Sequence, residues 1–452
     1  MHRCPWSGAK AKSGEIGRLS AARGRQARRP GRRRTLAGMR TSVATITTAA
    51  AALCLACVPR GVSTTMAAPP DPANAEGLGP GITWWRAEDR RGPWRTAVVR
   101  LDLGQQALML RAVHARDSLT GRETTSSLAR RAGAGQDTAR VRVAINADFF
   151  DLRTGRSENN QVSAGEWWVG RMLTDSPFDT YDNVHAQFAF THDGRGSIGR
   201  YVPDARVWAR GGALPVLGIN HMPAGIYEGT ALYTPRHGHR TPARAPADST
   251  RRLAEVPLRA AGARGDTLLY VVSAPSSSTG GASIPADGAV FTAHGDRVAA
   301  VQAWQPGDTV RAWFGTSPRL PDGRPPRELI GGWPRILEAG VNVAADAPIR
   351  EGTISRNAEA RHPRSAIGVS RDGRTVWLFA VDGRGTGSVG MTLVELADAM
   401  RALGAWDALN FDGGGSTTLV IDGRVVNMPT DATGERAVGN ALLVLQRSLP
   451  RR

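Results

Sequence analysis

The sequence predicts an α+β protein with a strand-rich mixed sheet core, a βαβ-like C-terminal segment and few helices. Most of its apolar segments are short, rich in β-branched residues and bounded by glycine, asparagine or aspartate, which is typical of strands. One segment, residues 392–404, combines an apolar face at helical spacing with clear start and stop signals. With 452 residues, 41% of them hydrophobic, the chain is long enough to bury a large core.

Basic residues are concentrated at the N-terminus. The chain has a formal net charge of +18, of which residues 1–40, with twelve Lys or Arg and one Glu, supply +11. The remaining +7 is spread over the rest of the chain and does not form the basic stripe that a nucleic-acid backbone requires. We therefore expect no nucleic-acid partner. No cysteine follows Cys57, which excludes disulfides and cysteine metal sites from the folded body.

Residues 1–68 are interpreted as a basic leader and secretory signal. The apolar run from Val43 to Val58 is too short for a comfortable transmembrane helix and fits the hydrophobic region of a signal. Residues 69–80 are interpreted as a linker and residues 81–450 as one folded domain. We expect an exported protein, periplasmic or extracellular, with no stable transmembrane segment after processing. Cys57 leaves a lipid anchor open as an alternative.

The N-terminal half of the domain is predicted to consist of successive strands. Strands are expected at Ile82–Arg86, Arg95–Leu103 and Gln106–Val113, of which the last two could pair as a hairpin. Val141–Ile145 is a further strand, and it ends in a cluster of polar and aromatic residues that begins with Asn146. Because sites often form where strands end, this cluster is a candidate part of one.

The predicted helix begins with a capping box, in which Thr392 is followed three residues later by Glu395. Gly404 supplies the stop. One face of this helix is apolar, which indicates that it packs against a sheet. That face consists of Leu393, Leu396, Ala397, Met400 and Leu403.

A strand precedes this helix and another follows it. Val376–Val381 ends in Asp382, and the apolar run Trp406–Phe411 ends in Asp412. A right-handed crossover would place the ends of both strands at the same edge of the sheet. The two carboxylates should therefore lie near each other.

A basic cluster is predicted to reach the same edge. Arg361, His362 and Arg364 precede a strand that would pair with residues 376–381 through a hairpin at Asp372–Gly373. Two arginines beside two carboxylates could form a structural ion network, or an anion site next to an acid–base pair. The sequence leaves both interpretations open.

Three glycines, Gly413, Gly414 and Gly415, follow Asp412 and precede Ser416. Consecutive glycines suit a backbone with positive φ or one that approaches a ligand closely, and their N–H groups could hold an anion. The loop lacks the Gly-Lys-Ser/Thr sequence of a nucleotide phosphate loop. A purely structural turn is the alternative.

Several segments of the chain resemble the phosphodiester glycosidase family. The resemblance spans roughly residues 82–447 and is most specific in the block 361–441. Gly434-Glu435-Arg436 and Gly439-Asn440-Ala441 also fit the C-terminal end of the family pattern. Asp148 departs from the family pattern, which has a small residue or Gly there, so Asp148 is either a catalytic residue or a local variation. The segments that carry the resemblance are A-I-N-A-D-F-F-D (144–151), L-I-G-G-W-P (329–334), R-H-P-R-S-A-I-G (361–368), V-D-G-R (381–384), G-M-T-L-V-E-L-A (390–397), L-N-F-D-G-G-G-S (409–416) and V-V-N-M-P-T (425–430).

This resemblance implies hydrolysis of a glycosyl-1-phosphodiester, such as an N-acetylglucosamine-1-phosphodiester, at the anomeric carbon. It implies Asp382 and Asp412 as catalytic carboxylates, with Glu435 in reserve. Phosphate leaves readily, so neutralisation of its charge by arginine matters more than strong acid assistance. The expected substrate-binding residues are Asn146, Arg361, His362, Arg364, Arg384, Asn410, Gly413, Gly414, Gly415, Ser416 and Asn427.

Within this set the residue types suggest different roles. The arginines and the glycine backbone suit the phosphate, and the asparagines suit sugar hydroxyls or the orientation of the acids. His362 could act as an acid or a phosphate ligand, or could serve packing alone. No cofactor is required, although a divalent cation held by aspartates is an open alternative.

The expected partner is a sugar-1-phosphodiester or a phosphosaccharide polymer, for example in exopolysaccharide or cell-wall metabolism. Two rival functions would use the same residues. One is a non-catalytic, phosphosaccharide-binding protein of the cell envelope. The other is a metal-dependent phosphodiesterase that breaks the P–O bond instead of the C–O bond.

Overall fold

Strands dominate the regular structure of the chain. A computed structural model describes residues 72–134, 138–172, 185–222, 229–244, 251–346, 350–351 and 359–447. The strands of its first part are β1 Glu76–Gly79, β2 Ile82–Asp89, β3 Trp94–Asp102, β4 Leu108–His114, β5 Glu123–Thr124, β6 Ala139–Asn146, β7 Gln161–Ser163, β8 Glu166–Arg171, β9 Gln187–Phe190, β10 Gly196–Gly199, β11 Val202–Ala209, β12 Gly212–Pro215, β13 Gly218–Ile219 and β14 Thr230–Tyr233.

The second part of the chain supplies as many strands again. They are β15 Leu253–Arg264, β16 Thr267–Val272, β17 Gly288–His294, β18 Thr309–Ser317, β19 Glu328–Gly331, β20 Arg335–Glu338, β21 Val341–Asn342, β22 Arg364–Val369, β23 Thr375–Val381, β24 Asp407–Phe411, β25 Leu419–Ile421, β26 Arg424–Val425, β27 Ala437–Val438 and β28 Asn440–Arg447. The α-helices in the described residues are α1 Thr125–Gly133, α2 Val298–Gln302 and α3 Leu393–Ala402.

These strands form four sheets. The first has eight strands in the order β1-β2-β3-β23-β22-β24-β20-β21, and the second has five in the order β26-β25-β6-β28-β4. The third is a long sheet of thirteen strands, and β27 and β5 make a small ribbon. The strand-rich α+β class predicted from the sequence is confirmed.

The eight-stranded and five-stranded sheets pack face to face between two helices. Alternate residues of each strand serve different layers, as the period of two requires. In β23, Leu378 joins the core between the sheets, whereas Phe379 packs with α3. In β28, Leu442 joins the same central core, whereas Leu443 belongs to the cluster that contains Leu128 of α1. The result is a helix–sheet–sheet–helix sandwich, and the thirteen-stranded sheet encloses a core of its own.

The predicted hairpin between residues 95–103 and 106–113 is wrong. β3 pairs with β2 and β23 in the eight-stranded sheet, whereas β4 pairs with β28 in the five-stranded sheet. The turn between them therefore crosses from one layer to the other. Both partners, β23 and β28, lie far along the chain, and local alternation does not reveal such pairings.

The crossover predicted around α3 is confirmed. β23 and β24 each pair antiparallel with β22, which lies between them, so they run parallel to each other. α3 connects them and carries the predicted capping box: the Thr392 side chain accepts from the Glu395 N–H, and the Glu395 side chain accepts from the Thr392 N–H. The ends of β23 and β24 consequently lie at one edge of the sheet.

The predicted leader, residues 1–68, lies outside the described residues. Within the segment interpreted as a linker, β1 already pairs with β2. No helix in the described part of the chain is long and apolar enough to cross a membrane.

The capping box at Thr392 and Glu395 is expected to stabilise the folded protein. Thr392→Ala removes an acceptor at the N-terminus of α3 and should lower the free energy of unfolding by about 1 kcal/mol. Urea denaturation measures the change, with Thr120→Ala, at an exposed position outside helices and strands, as the control. Equal midpoints for both variants would contradict a role for the cap.

Candidate active site

The site forms where the ends of β23 and β24 meet the start of β22. In register, Arg364 of β22 lies opposite Val381, and Ser365 lies opposite Phe411. Asp412 follows β24 directly. A cavity of about 180 Å³ opens at this edge. It is lined by Phe149, Trp333, Pro334, His362, Arg364, Arg384, Leu393, Asn410, Asp412, Gly413, Gly414, Gly415 and Arg436.

Asp412 is the carboxylate of this cavity. Burial raises the pKa of its carboxyl to about 6. Stabilising contacts act in the opposite direction, namely a hydrogen bond from Ser416, the charges of Arg436 and Arg364, and the N–H of Gly413. The group is therefore ionised at neutral pH and protonated in mild acid, which suits a catalytic base.

Asn146 fixes the backbone at Asp412. Its side-chain N–H donates to the Asp412 carbonyl at 2.6 Å, and its Oδ1 accepts from the Ser365 hydroxyl at 2.7 Å and from the Thr418 N–H at 3.0 Å. The residue is fully buried. Asn146 ends β6 in the five-stranded sheet and so joins both sheets to the cavity. These contacts orient Asp412, which is one of the two roles expected for Asn146.

Two arginines line the cavity with Asp412, one at the start of β22 and one shortly after the end of β23. Arg364 is buried, and burial lowers its pKa to about 10 against the opposing effect of Asp412. Its Nε donates to the Met391 carbonyl at 3.1 Å. Arg384 is exposed, has a positive φ of 61° and donates to the Thr430 hydroxyl at 3.4 Å. Of these two cations, one is therefore buried and the other is exposed to solvent.

The side chains of two arginines lie against the backbone of the glycine loop, residues 413–415. The Gly414 N–H donates to the Pro363 carbonyl at 2.8 Å, so this N–H has a protein partner. A Cβ on Gly414 would lie 2.9 Å from Arg384 Nη2, and one on Gly415 would lie 2.2 Å from Arg436 Nη2. The absence of side chains thus lets two guanidinium groups approach the backbone, which differs from the expected nest for phosphate.

An aromatic wall completes the cavity. Phe149 and Trp333 meet edge to face at 5.7 Å, and the Asn410 side chain donates to the Trp333 carbonyl at 2.6 Å. His362 lines the cavity too, and burial together with Arg364 lowers its pKa. Sequence reasoning did not select Phe149, Trp333 or Arg436 as site residues. Their signal was present, since each lies in a segment that carries the family resemblance.

Two acids selected from the sequence have structural contacts outside this cavity. Asp382 accepts from the Met428 N–H at 2.7 Å, and burial raises the pKa of its carboxyl. Glu435 accepts from the Ser126 N–H at 3.0 Å, in the first turn of α1. Asp382 follows β23 at the same edge of the sheet as Asp412, but it does not line the cavity and the Met428 N–H holds its carboxylate.

Other expected ligands are likewise engaged elsewhere. Arg361 forms an ion pair with Glu395 at 2.5 Å. Asn427 accepts from the Leu419 N–H at 2.7 Å and donates to the Thr417 carbonyl at 2.9 Å, which secures the β25–β26 hairpin. Neither residue lines the cavity.

The donor set does not suit a metal ion. Among the described lining residues, the cavity combines one carboxylate and one histidine with three arginines. No group of three or more His, Cys, Asp and Glu side chains in the described residues could hold a metal. The arrangement instead suits an anion beside a carboxylate.

The hydrogen bonds of Asn146 predict a large effect on stability. Asn146→Ala leaves three buried groups unpaired, each costing about 1–3 kcal/mol, so the free energy of unfolding should fall by about 3 kcal/mol or more. Chemical denaturation measures this loss. Gln105→Ala, which removes an exposed amide with one hydrogen bond to Asp102, is the control and should change little.

Part of the chain is similar to known proteins. Residues 262–445 match the phosphodiester glycosidase family model. The chain is 34% identical over 89 residues to mouse N-acetylglucosamine-1-phosphodiester α-N-acetylglucosaminidase, covering 20% of this chain and 17% of that protein. It is 38% identical over 80 residues to the human enzyme, covering 18% and 15%. The chain thus spans under a fifth of the length of these relatives.

Solved structures show the same fold over a longer stretch. A hypothetical protein from Synechocystis superposes with a TM-score of 0.62 at 23% identity, covering 82% of this chain and 63% of that one. A candidate exported protein of Burkholderia pseudomallei K96243 superposes with a TM-score of 0.56 at 22% identity, covering 78% and 74%. The family predicted from the sequence is confirmed: over residues 262–445 this chain carries a phosphodiester glycosidase domain.

Proposed function

We propose that this protein is an exported hydrolase that cleaves the bond between the anomeric carbon and the phosphate oxygen of a glycosyl-1-phosphodiester. The observation that carries the proposal is a half-buried carboxylate, Asp412, in a cavity with three arginines on a phosphodiester glycosidase domain. The apolar run at residues 43–58 supports export. An exopolysaccharide or a cell-wall phosphosaccharide is the proposed polymer.

Phosphate binding is assigned to the cations of the cavity. Arg364, Arg384 and Arg436 can pair with the phosphate oxygens and offset the charge that develops on the leaving group. Phe149 and Trp333 offer apolar surface to a sugar ring. The Oδ1 of Asn410 is buried without a partner among the described residues, so it is available to accept from a sugar hydroxyl.

The reaction needs one carboxylate of this chain. Ionised Asp412 removes a proton from water, the water oxygen bonds to the anomeric carbon, and the bond from that carbon to the phosphate oxygen breaks. The electron pair leaves with the phosphomonoester, and the proton passes from Asp412 to solvent. Glycosidases commonly use a second carboxyl as an acid. A phosphate leaving group stabilised by arginine reduces that need, which agrees with a single carboxylate among the described lining residues.

Asp412→Asn tests the catalytic role. Loss of a general base costs about 10²–10⁴-fold in rate, so kcat on a methyl glycosyl-phosphate diester should fall within that range while the variant remains folded. Asp372→Asn, in the turn at the opposite end of the β22–β23 hairpin, is the matched control. A folded Asp412→Asn variant with normal turnover would exclude Asp412 as the base.

The products separate this function from its rivals. Hydrolysis of the C–O bond in ¹⁸O-labelled water places the label in the sugar, whereas a phosphodiesterase that breaks the P–O bond places it in the phosphate. A binding protein releases neither a reducing sugar nor a phosphomonoester.

The pH dependence follows from the carboxyl of Asp412. Burial raises its pKa to about 6, so the ionised form that accepts a proton disappears as the pH falls through that value. The steady-state ratio kcat/KM should therefore rise with pH to about 6 and then level off. Bound anionic substrate should raise the pKa further and move the acid limb of kcat upward. Full activity at pH 4 would contradict the assignment.

A further inference from the structure

An ion pair on the rim of the cavity holds one of its cations. Arg436 Nε donates to Asp431 Oδ2 at 2.7 Å, and Arg436 Nη2 donates to Asp431 Oδ1 at 2.9 Å. Two parallel bonds of this kind fix the plane of a guanidinium group as well as its position. Asp431 does not line the cavity, so its effect on the site acts through Arg436.

The pair is seated directly on the glycine loop. A Cβ on Gly415 would lie 2.0 Å from Asp431 Oδ1 and 2.2 Å from Arg436 Nη2. Gly415 does not have a positive φ, so its backbone alone would accept alanine. A side chain at this position would therefore displace the ion pair.

Arg436 reaches Asp412 through Ser416. Arg436 Nη1 lies 3.5 Å from the Ser416 hydroxyl, which is fully buried and hydrogen bonds to the Asp412 carboxylate. A guanidinium group has five N–H bonds. The contacts to Asp431 and Ser416 use one N–H on each nitrogen, so both terminal nitrogens retain an N–H for an anion in the cavity.

The segment that carries this pair is tied down on both sides. At its start, the Met428 N–H donates to Asp382. At its end, Glu435 accepts from the Ser126 N–H at the start of α1. Between them, Asp431 and Gly434 form a tight turn in which the Gly434 N–H donates to the Asp431 carbonyl at 2.9 Å. Residues 428–436 are thus held against both the eight-stranded sheet and α1.

We propose that Asp431 is a positioning residue, which holds the Arg436 guanidinium between Asp412 and the substrate phosphate, and that Asp382 and Glu435 anchor the segment that carries the pair. This proposal rests on the proposed function of the cavity. It gives the two acids selected from the sequence a role in building the site, outside the chemical step. It also predicts that Asp431 acts on the charge of Asp412 without touching the substrate.

Asp431→Asn is the test, with two measurements that do not depend on turnover. The first is the pH titration of the Asp412 carboxyl by ¹³C NMR, assigned with Asp412→Asn. The second is the affinity for inorganic phosphate by calorimetry. Asp308→Asn, which removes a bidentate pair with Arg210 on the thirteen-stranded sheet, is the matched control.

The expected result is a joint change in both measurements. Release of Arg436 should raise the pKa of Asp412 above its value of about 6 in the wild type. Phosphate affinity should fall roughly tenfold, because a charge-assisted contact is lost or misplaced. Arg436→Lys, which keeps the charge and loses the fork, should match Asp431→Asn, and the double variant should show no further loss. Asp308→Asn should match the wild type.

If Asp431→Asn does not fold, a second variant tests the same proposal. Gly415→Ala displaces the same ion pair and should give the same two changes, whereas Gly77→Ala, where a Cβ meets no atom within 4 Å, should not. An unchanged titration and unchanged phosphate affinity in Asp431→Asn or Gly415→Ala would overturn the proposal. If the wild type hydrolyses no diester while both changes occur, the positioning role stands and the proposed reaction fails.

Discussion

The buried amide of Asn146 is the interaction on which the rest of the site depends. It stands at the end of a strand in one sheet and hydrogen bonds to residues at the edge of the other. The two sheets pack through a shared apolar core, which fixes their separation but not the conformation of the loops at their edge. The three hydrogen bonds of the Asn146 side chain fix that conformation. Asn146 consequently fixes the Asp412 carbonyl at the end of β24 and ties it to Ser365 and Thr418.

Around that fixed point, the electrostatics of the cavity balance opposing effects. Burial disfavours the charged form of Asp412 and also that of Arg364. Each charge partly stabilises the other, and Arg436 adds a further positive charge beside the carboxylate. An anion that enters this cavity meets Arg364, whose own solvation is already reduced by burial, so its contact with that anion is strengthened. In the proposed reaction, such an arrangement would favour charge neutralisation over acid assistance.

The role of the glycine loop follows from the side chains that lie against it. The sequence indicates that the backbone there must approach something closely, and an anion is a reasonable candidate. In the folded chain the close neighbours are Arg384 at Gly414 and the Asp431–Arg436 pair at Gly415. The same property of glycine, its lack of a Cβ, therefore serves the placement of cations that can face a phosphate. The three consecutive glycines indicated that another group lies close to this backbone, but not which group it is.

The sequence by itself determined the local features and their common edge. The capping box of α3, the alternation of the strands and the βαβ order of residues 376–412 depend on neighbours in the chain, and they predict that Arg364, Asp382 and Asp412 share one end of the sheet. Only the tertiary structure decided which carboxylate faces the cavity. That choice depends on partners distant in sequence: Met428 holds Asp382, α1 holds Glu435, and Asn146 fixes the backbone of Asp412. Hydrogen bonds between remote segments leave no periodic pattern in a sequence, so the arrangement becomes visible only after the sheets have packed.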